Sequence, residues 1–216
     1  MHGSSALVLL VACAGSTTNE KPGQRGLRAD QHLKIAKHEA ELADQLTRWP
    51  DTRSRASGAG AQPDQLVPVW FGMWDTTAEH QHIGQLHRTQ AAQLEAEYEQ
   101  ACGETPAAIA SISPVQRYGV GTSPVPGGTV VLLSPDAGSP DALLAAMRCH
   151  RAWMMLGRTD MDDCPLDLPG LHVSARGDAE GIELTMTIDD PVLVPELRRR
   201  AAHDLEAAQH RQHTMR

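Results

Sequence analysis

Apolar residues recur at three- and four-residue steps between Asp30 and Arg48, where Leu33, Ala36, Ala40, Ala43 and Leu46 mark one face of a helix. Asp30 stands where a cap is needed. Trp49-Pro50 closes the segment, because the residue before a proline avoids helical geometry. A second, longer helix is expected from about Thr77 to Cys102, with Thr76-Thr77-Ala78-Glu79 as a capping box and Gly103 as its stop. Its inward stripe runs through Ile83, Leu86, Ala91 or Gln90, Leu94 and Tyr98. Both faces are rich in alanine, so an antiparallel hairpin of closely approaching helices is expected. The connection from Asp51 to about Pro68 is rich in Gly, Ala, Ser and Arg, and leads to Trp70, Phe71 and Trp74. That aromatic patch suits a plug between helices better than a ligand site.

Prolines and glycines punctuate the stretch from Pro106 to Pro126, and the domain boundary is placed there. Thr129 to Ser134 (TVVLLS) then reads as a buried strand, and Ser139-Pro140-Asp141 opens a helix that runs to Leu156 and stops at Gly157. Leu171, Val173 and Ala175 alternate with polar residues, Gly177-Asp178 turns the chain, and Ile182, Leu184, Met186 and Ile188 alternate again. Asp190-Pro191 begins a last helix that carries Leu197, Ala201 and Leu205 inward. The expected class is α+β: an antiparallel helical hairpin over residues 29–105, packed on a small βαββα domain over residues 112–210. That domain is of the ferredoxin-like kind with helices on one sheet face, and residues 211–216 form a tail. No internal repeat is found.

The run Ala6 to Ala12 (ALVLLVA) is too short to span a bilayer and occupies the place of a signal-peptide apolar core. Leu10-Val11-Ala12-Cys13, followed by Ala14, Gly15, Ser16, Thr17 and Thr18, resembles the lipobox of bacterial lipoproteins. In those proteins the cysteine is lipidated and becomes the first residue of the mature chain. Met1 to Ser5 departs from the pattern in carrying no Lys or Arg. The resemblance implies a signal peptide over residues 1–12, acyl groups such as palmitate on Cys13, and a tether over residues 13–28. The membrane would then be a partner through the N-terminal lipid, and Ala14 rather than Asp fits an outer-membrane protein facing the periplasm. Without a signal function the same run reads as a short buried strand or helix with a chance cysteine.

Composition narrows the field further. The 216 residues are 41% apolar and 21% charged, which excludes a collagen-like or wholly disordered chain. A formal charge of −8, with Lys21, Lys34 and Lys37 the only lysines and 3% aromatic residues, lacks the footprint of a nucleic-acid binder. No apolar run reaches about 18 residues, which excludes a polytopic bundle of membrane helices.

Apart from Cys13, three cysteines remain: Cys102, Cys149 and Cys164. In an oxidising compartment they fit one disulfide, in any of three pairings, plus one buried thiol. They also fit a soft-metal site, because Cys149-His150 and Cys164 share a stretch with Met147, Met154, Met155 and Met161. Thiolate, thioether and imidazole suit Cu(I), and thiolate with imidazole also suits Zn(II). Adjacent helical residues point about 100° apart, so Cys149 and His150 do not readily face one ion. No pair among His32, His38, His80, His82 and His87 has the i,i+3 or i,i+4 spacing of shared ligands on a helix, and these read as surface groups. His203, His210 and His213 read the same way, His210 and His213 being spaced to pick up metal adventitiously. Glu79-x-x-His82 lacks the second copy that a di-iron bundle needs. Cys149 with His87 or His150 could form a nucleophile pair, though nothing in the sequence requires it, and no phosphate loop, Gly-x-Ser-x-Gly elbow or His-Glu-x-x-His is present.

The stretch His80 to Cys102, the pair Cys149-His150 and the segment Cys164-Pro165-Leu166 resemble a group of bacterial envelope lipoproteins with no established activity. The resemblance covers most of the mature chain and singles out His87, Cys102, Cys149, His150 and Cys164. The leading expectation is a periplasm-facing lipoprotein that binds a soft metal ion in envelope metal homeostasis, Cu(I) ahead of Zn(II). Cys102, Cys149 and Cys164 would be thiolate ligands, with His150 or His87 completing the site. The alternative is a structural or interaction lipoprotein, with an envelope protein as partner, whose cysteines only staple its halves. A thiol-dependent enzyme ranks third.

Overall fold

The computed structural model describes residues 26–48, 76–157, 163–178 and 181–214. The expected signal peptide, Cys13, most of the tether and the aromatic patch lie outside them. Two long helices, α1 (Ala29–Arg48) and α2 (Thr76–Cys102), form the antiparallel hairpin. Its seam is built from the smallest side chains. Ala29, Ala36 and Ala43 are buried on α1, and Gly84 and Ala91 on α2, each two helical turns from the next. A Cβ on Gly84 would stand 3.4 Å from the Ala36 carbonyl oxygen, so the two backbones nearly touch. That closeness corrects part of the expected stripe: Leu33, Leu46 and Leu86 are exposed because such a seam has no room for leucine. Asp30 lies inside the first turn rather than capping it, and pairs with Lys34 at 2.9 Å.

The rest of the chain is a single sheet with helices on one face. Two short helices, α3 (Ala107–Ala110) and α4 (Pro114–Tyr118), lead into β1 (Gly119–Val125) and β2 (Gly128–Leu133). Helix α5 (Pro140–Met155) follows, then β3 (Leu171–Asp178), β4 (Gly181–Ile188) and α6 (Val194–Thr214). Strand order is β1-β2-β4-β3 with every neighbouring pair antiparallel. Because β4 sits between β2 and β3, the unit β2-α5-β3 is a crossover connection with one strand inserted. On β4, Ile182, Leu184, Met186 and Ile188 point to the core and the residues between them to the other face. Leu143, Met147 and Met154 of α5 and Leu197 and Ala201 of α6 cover them.

Strand β1 was expected to be boundary loop. Pro124 is tolerated in it because β1 is an edge strand, where a missing N–H breaks no ladder toward solvent. Gly177 and Asp178, expected as the turn, are still paired in β3, with Asp178 opposite Gly181. The expected helix stops hold: Gly103 (φ 52°) and Gly157 (φ 71°) adopt the left-handed conformation that ends α2 and α5. Ser139 caps α5 by accepting from the Ala142 amide at 3.2 Å, with Pro140 in the first turn.

Candidate functional site

Helix α2 ends against the middle of α5, and there Cys102 and Cys149 form a disulfide with Cα atoms 4.7 Å apart. Ala110 and Trp153 bury it, and Tyr98 packs on Trp153 with ring centroids 5.7 Å apart. The bond joins the helical hairpin to the sandwich. Of the three pairings open to the sequence, this is the one formed, and Cys164 remains a buried free thiol.

His150, the next residue on α5, faces a different neighbour, as the 100° helical step requires. Its Nδ1 lies 2.7 Å from the Ala110 carbonyl oxygen. A carbonyl only accepts, so Nδ1 carries the proton, and in the neutral ring Nε2 is bare. Cys164 Sγ stands 3.6 Å from that Nε2, so the thiol donates and the imidazole accepts. Burial lowers the His150 pKa and raises that of Cys164, where the nearby Asp204 carboxyl adds to the rise. Both directions oppose a thiolate–imidazolium pair. Arg200 donates to the Cys164 carbonyl at 3.2 Å and holds that backbone in place.

Asp204 on α6 completes this polar interior. Its Oδ1 accepts from Gln116 Nε2 at 2.7 Å, and its Oδ2 has no hydrogen-bond partner. Burial pushes its pKa upward, against the pull of hydrogen bonding from the Gln116 and Ser113 side chains. Nothing in the sequence near Asp204 distinguishes it from the other acids of α6, apart from its spacing with Leu197 and Ala201 on the inward face.

The structure brings the expected site residues together in two groups and leaves one apart. Cys102 meets Cys149, and His150 meets Cys164. His87 lies fifteen residues before Cys102 on the same helix, about 22 Å along its axis, and does not reach either group. It pairs instead with His32 on α1, the Nδ1 atoms 2.7 Å apart. One layer further along the seam, His80 Nδ1 meets Glu39 Oε2 at 2.6 Å. Spacing within a single helix does not encode these cross-helix pairs. Met147 and Met154 are core residues. Among the described residues no group of three His, Cys, Asp or Glu side chains is placed to hold a metal ion.

Chemically, the disulfide leaves no thiolate at Cys102 or Cys149, and burial holds the Cys164 thiol neutral. Among the described residues no helix is long and apolar enough to cross a membrane. No family model, no curated protein and no solved structure matches the chain.

Proposed function

We propose that this chain is an exported, lipid-anchored envelope protein whose cysteines staple a binding or interaction body, with no catalytic thiol. The observation that carries the reading is the Cys102–Cys149 bond between hairpin and sandwich, formed while Cys164 stays buried and neutral. Disulfides of this kind belong to oxidising compartments, which agrees with the lipobox at Cys13 and with a periplasm-facing outer-membrane address. The likeness to envelope lipoproteins of the same Cys-His…Cys-Pro-Leu pattern supports the same address, and an envelope protein is the expected partner. We read the sandwich as a ferredoxin-like arrangement in which the edge strand that closes that fold comes first in the chain, as β1. The inserted-strand crossover β2-α5-β3 supports this.

Native mass spectrometry of residues 14–216 exported to a bacterial periplasm tests the function. The expected mass is two hydrogens below the fully reduced chain, with no metal adduct. A single metal ion lost on denaturation, with all three thiols reduced, would overturn the staple reading.

One observation favours a second reading, the soft-metal site. A thiol 3.6 Å from a bare imidazole nitrogen, whose other nitrogen donates to a carbonyl, is the arrangement that orients a histidine toward a metal. Cu(I), ahead of Zn(II), would take Cys164 and His150, with Cys102 and Cys149 available only after reduction. On this reading Cys164→Ser abolishes stoichiometric Cu(I) uptake by the reduced chain, and unchanged uptake eliminates the site.

A further inference from the structure

Beside the disulfide, helices α2 and α5 form the walls of an open groove of about 680 Å³. Leu94 and Ala101 on α2 and Met155 on α5 give it apolar sides. Arg148 and Arg151 stand three residues apart on α5, so both guanidinium groups belong to the same wall. Neither makes an ion pair within 4 Å among the described residues. Glu97 lines the opposite wall, and the carboxylate of Asp167, outside the lining, also acts on Arg151. Asp167 favours the charged form of Arg151, although burial outweighs it and lowers that residue's pKa.

Like charges three residues apart on one helix face disfavour each other, an arrangement that an anion between them relieves. In a chain of net charge −8, two cations on one wall stand out as a local concentration of positive charge. Guanidinium groups match carboxylate and phosphate oxygens through paired N–H donors. The apolar walls add a place for hydrocarbon, and the volume falls within the usual range of small-molecule sites. We propose that the groove binds one anionic amphiphile, a carboxylate or phosphate head group on an alkyl chain. Its head sits on Arg148 and Arg151, and its tail runs along Leu94, Ala101 and Met155.

Ala101 precedes Cys102 and Arg148 precedes Cys149, so the disulfide pins the two walls at the site itself. The inference rests on the stapled reading for the width of the groove, and not on the lipid anchor.

The test is isothermal titration of the oxidised full chain carrying Cys13→Ser, so that no acyl group of its own competes. The probes are dodecyl phosphate, dodecanoate, dodecanol and inorganic phosphate, each below its aggregation concentration. Dodecyl phosphate or dodecanoate is expected to bind at one per chain, with dodecanol and inorganic phosphate at least about tenfold weaker. The double variant Arg148→Gln/Arg151→Gln is expected to lose at least about tenfold in affinity with its melting temperature unchanged. Equal binding of dodecanol, equal binding of inorganic phosphate, no binding of either amphiphile, or an unaffected double variant would each overturn the proposal. The intact mass of the same sample reports the disulfide independently. Failure to bind in a chain with the bond closed refutes the groove and leaves the staple standing.

Discussion

His32 on α1 and His87 on α2 meet with their Nδ1 atoms 2.7 Å apart, so one ring donates a proton that the other accepts. The contact closes the helical hairpin at the end nearest Ala29. Its geometry requires that one of the two Nδ1 atoms be bare, and protonation of both rings removes the acceptor and sets two positive charges against each other.

Burial, with a smaller contribution from His87, holds the His32 pKa below its usual 6.5. Between that lowered value and 6.5 the unfolded chain binds more protons than the folded one, so stability rises with pH across this window. It is complete above about pH 6.5 and is lost as pH falls. The melting temperature is expected to drop between pH 7 and pH 5, and His32→Gln should make that drop shallower. His150, also lowered by burial, contributes in the same direction and keeps some slope in the variant. Calorimetry of both chains at pH 7, 6 and 5 decides it, and identical slopes would refute a role for the pair.

The disulfide spans a sequence separation of 47. Loop-closure entropy for a ring of that size amounts to about 4 kcal/mol of stability, on a model that treats the unfolded chain as free. For a chain of this length each kcal/mol corresponds to roughly 2–4 °C. Cys102→Ser/Cys149→Ser, or reduction alone, is therefore expected to lower the melting temperature by about 8–16 °C. Equal melting with and without reductant would count against the bond.

Cys164 is expected to be chemically silent in the native chain. It is 4% exposed and burial raises its pKa, so little thiolate is present to react. In the Cys13→Ser chain a thiol reagent should label nothing until denaturant is added, and then label one cysteine. Rapid native labelling would revive the thiol-enzyme reading.

Asp204 has the opposite pH signature to His32. A carboxyl whose pKa is raised by burial costs stability once the pH exceeds the unfolded value of about 3.9, and the cost grows up to its own folded pKa. Asp204→Asn keeps an acceptor for Gln116 and removes the ionisation. It is expected to raise the melting temperature at pH 7 and to leave it almost unchanged near pH 3. A lower melting temperature at pH 7 would show that the groups favouring the carboxylate outweigh the cost of burying it.

Long elements with clear punctuation were legible in the sequence. Helix α5 carries its own start in Ser139-Pro140 and its own stop in Gly157, and the strict alternation from Ile182 to Ile188 marks one face of β4. The alanine content of α1 and α2 announced a close hairpin. It did not say which residues would line the seam, because a stripe of Leu and Ala can turn by one position and still look amphipathic. Strand β1 was hidden by Gly119, Gly121 and Pro124, residues that deplete strands in general and are tolerated at an edge. At the candidate site, the odd cysteine count already allowed one bond and one buried thiol, but pairing depends on where α2 ends against α5. The arrangements that cross between helices, the His32–His87 contact and the groove shared by Ala101 and Arg148, depend on packing register, and no local pattern encodes that.

The bond between Cys102 and Cys149 closes a ring of chain that holds α3, α4, β1 and β2. A single cut inside that ring opens it without dividing the molecule. A chain clipped anywhere between Gly103 and Arg148 stays one covalent object, and its two pieces part only under a reductant. For a protein held to a surface by its N-terminal end, such a wound does not set the sandwich adrift. Under the N-terminal anchoring proposed above, the staple acts as a second mooring for the part of the molecule farthest along the chain from that end.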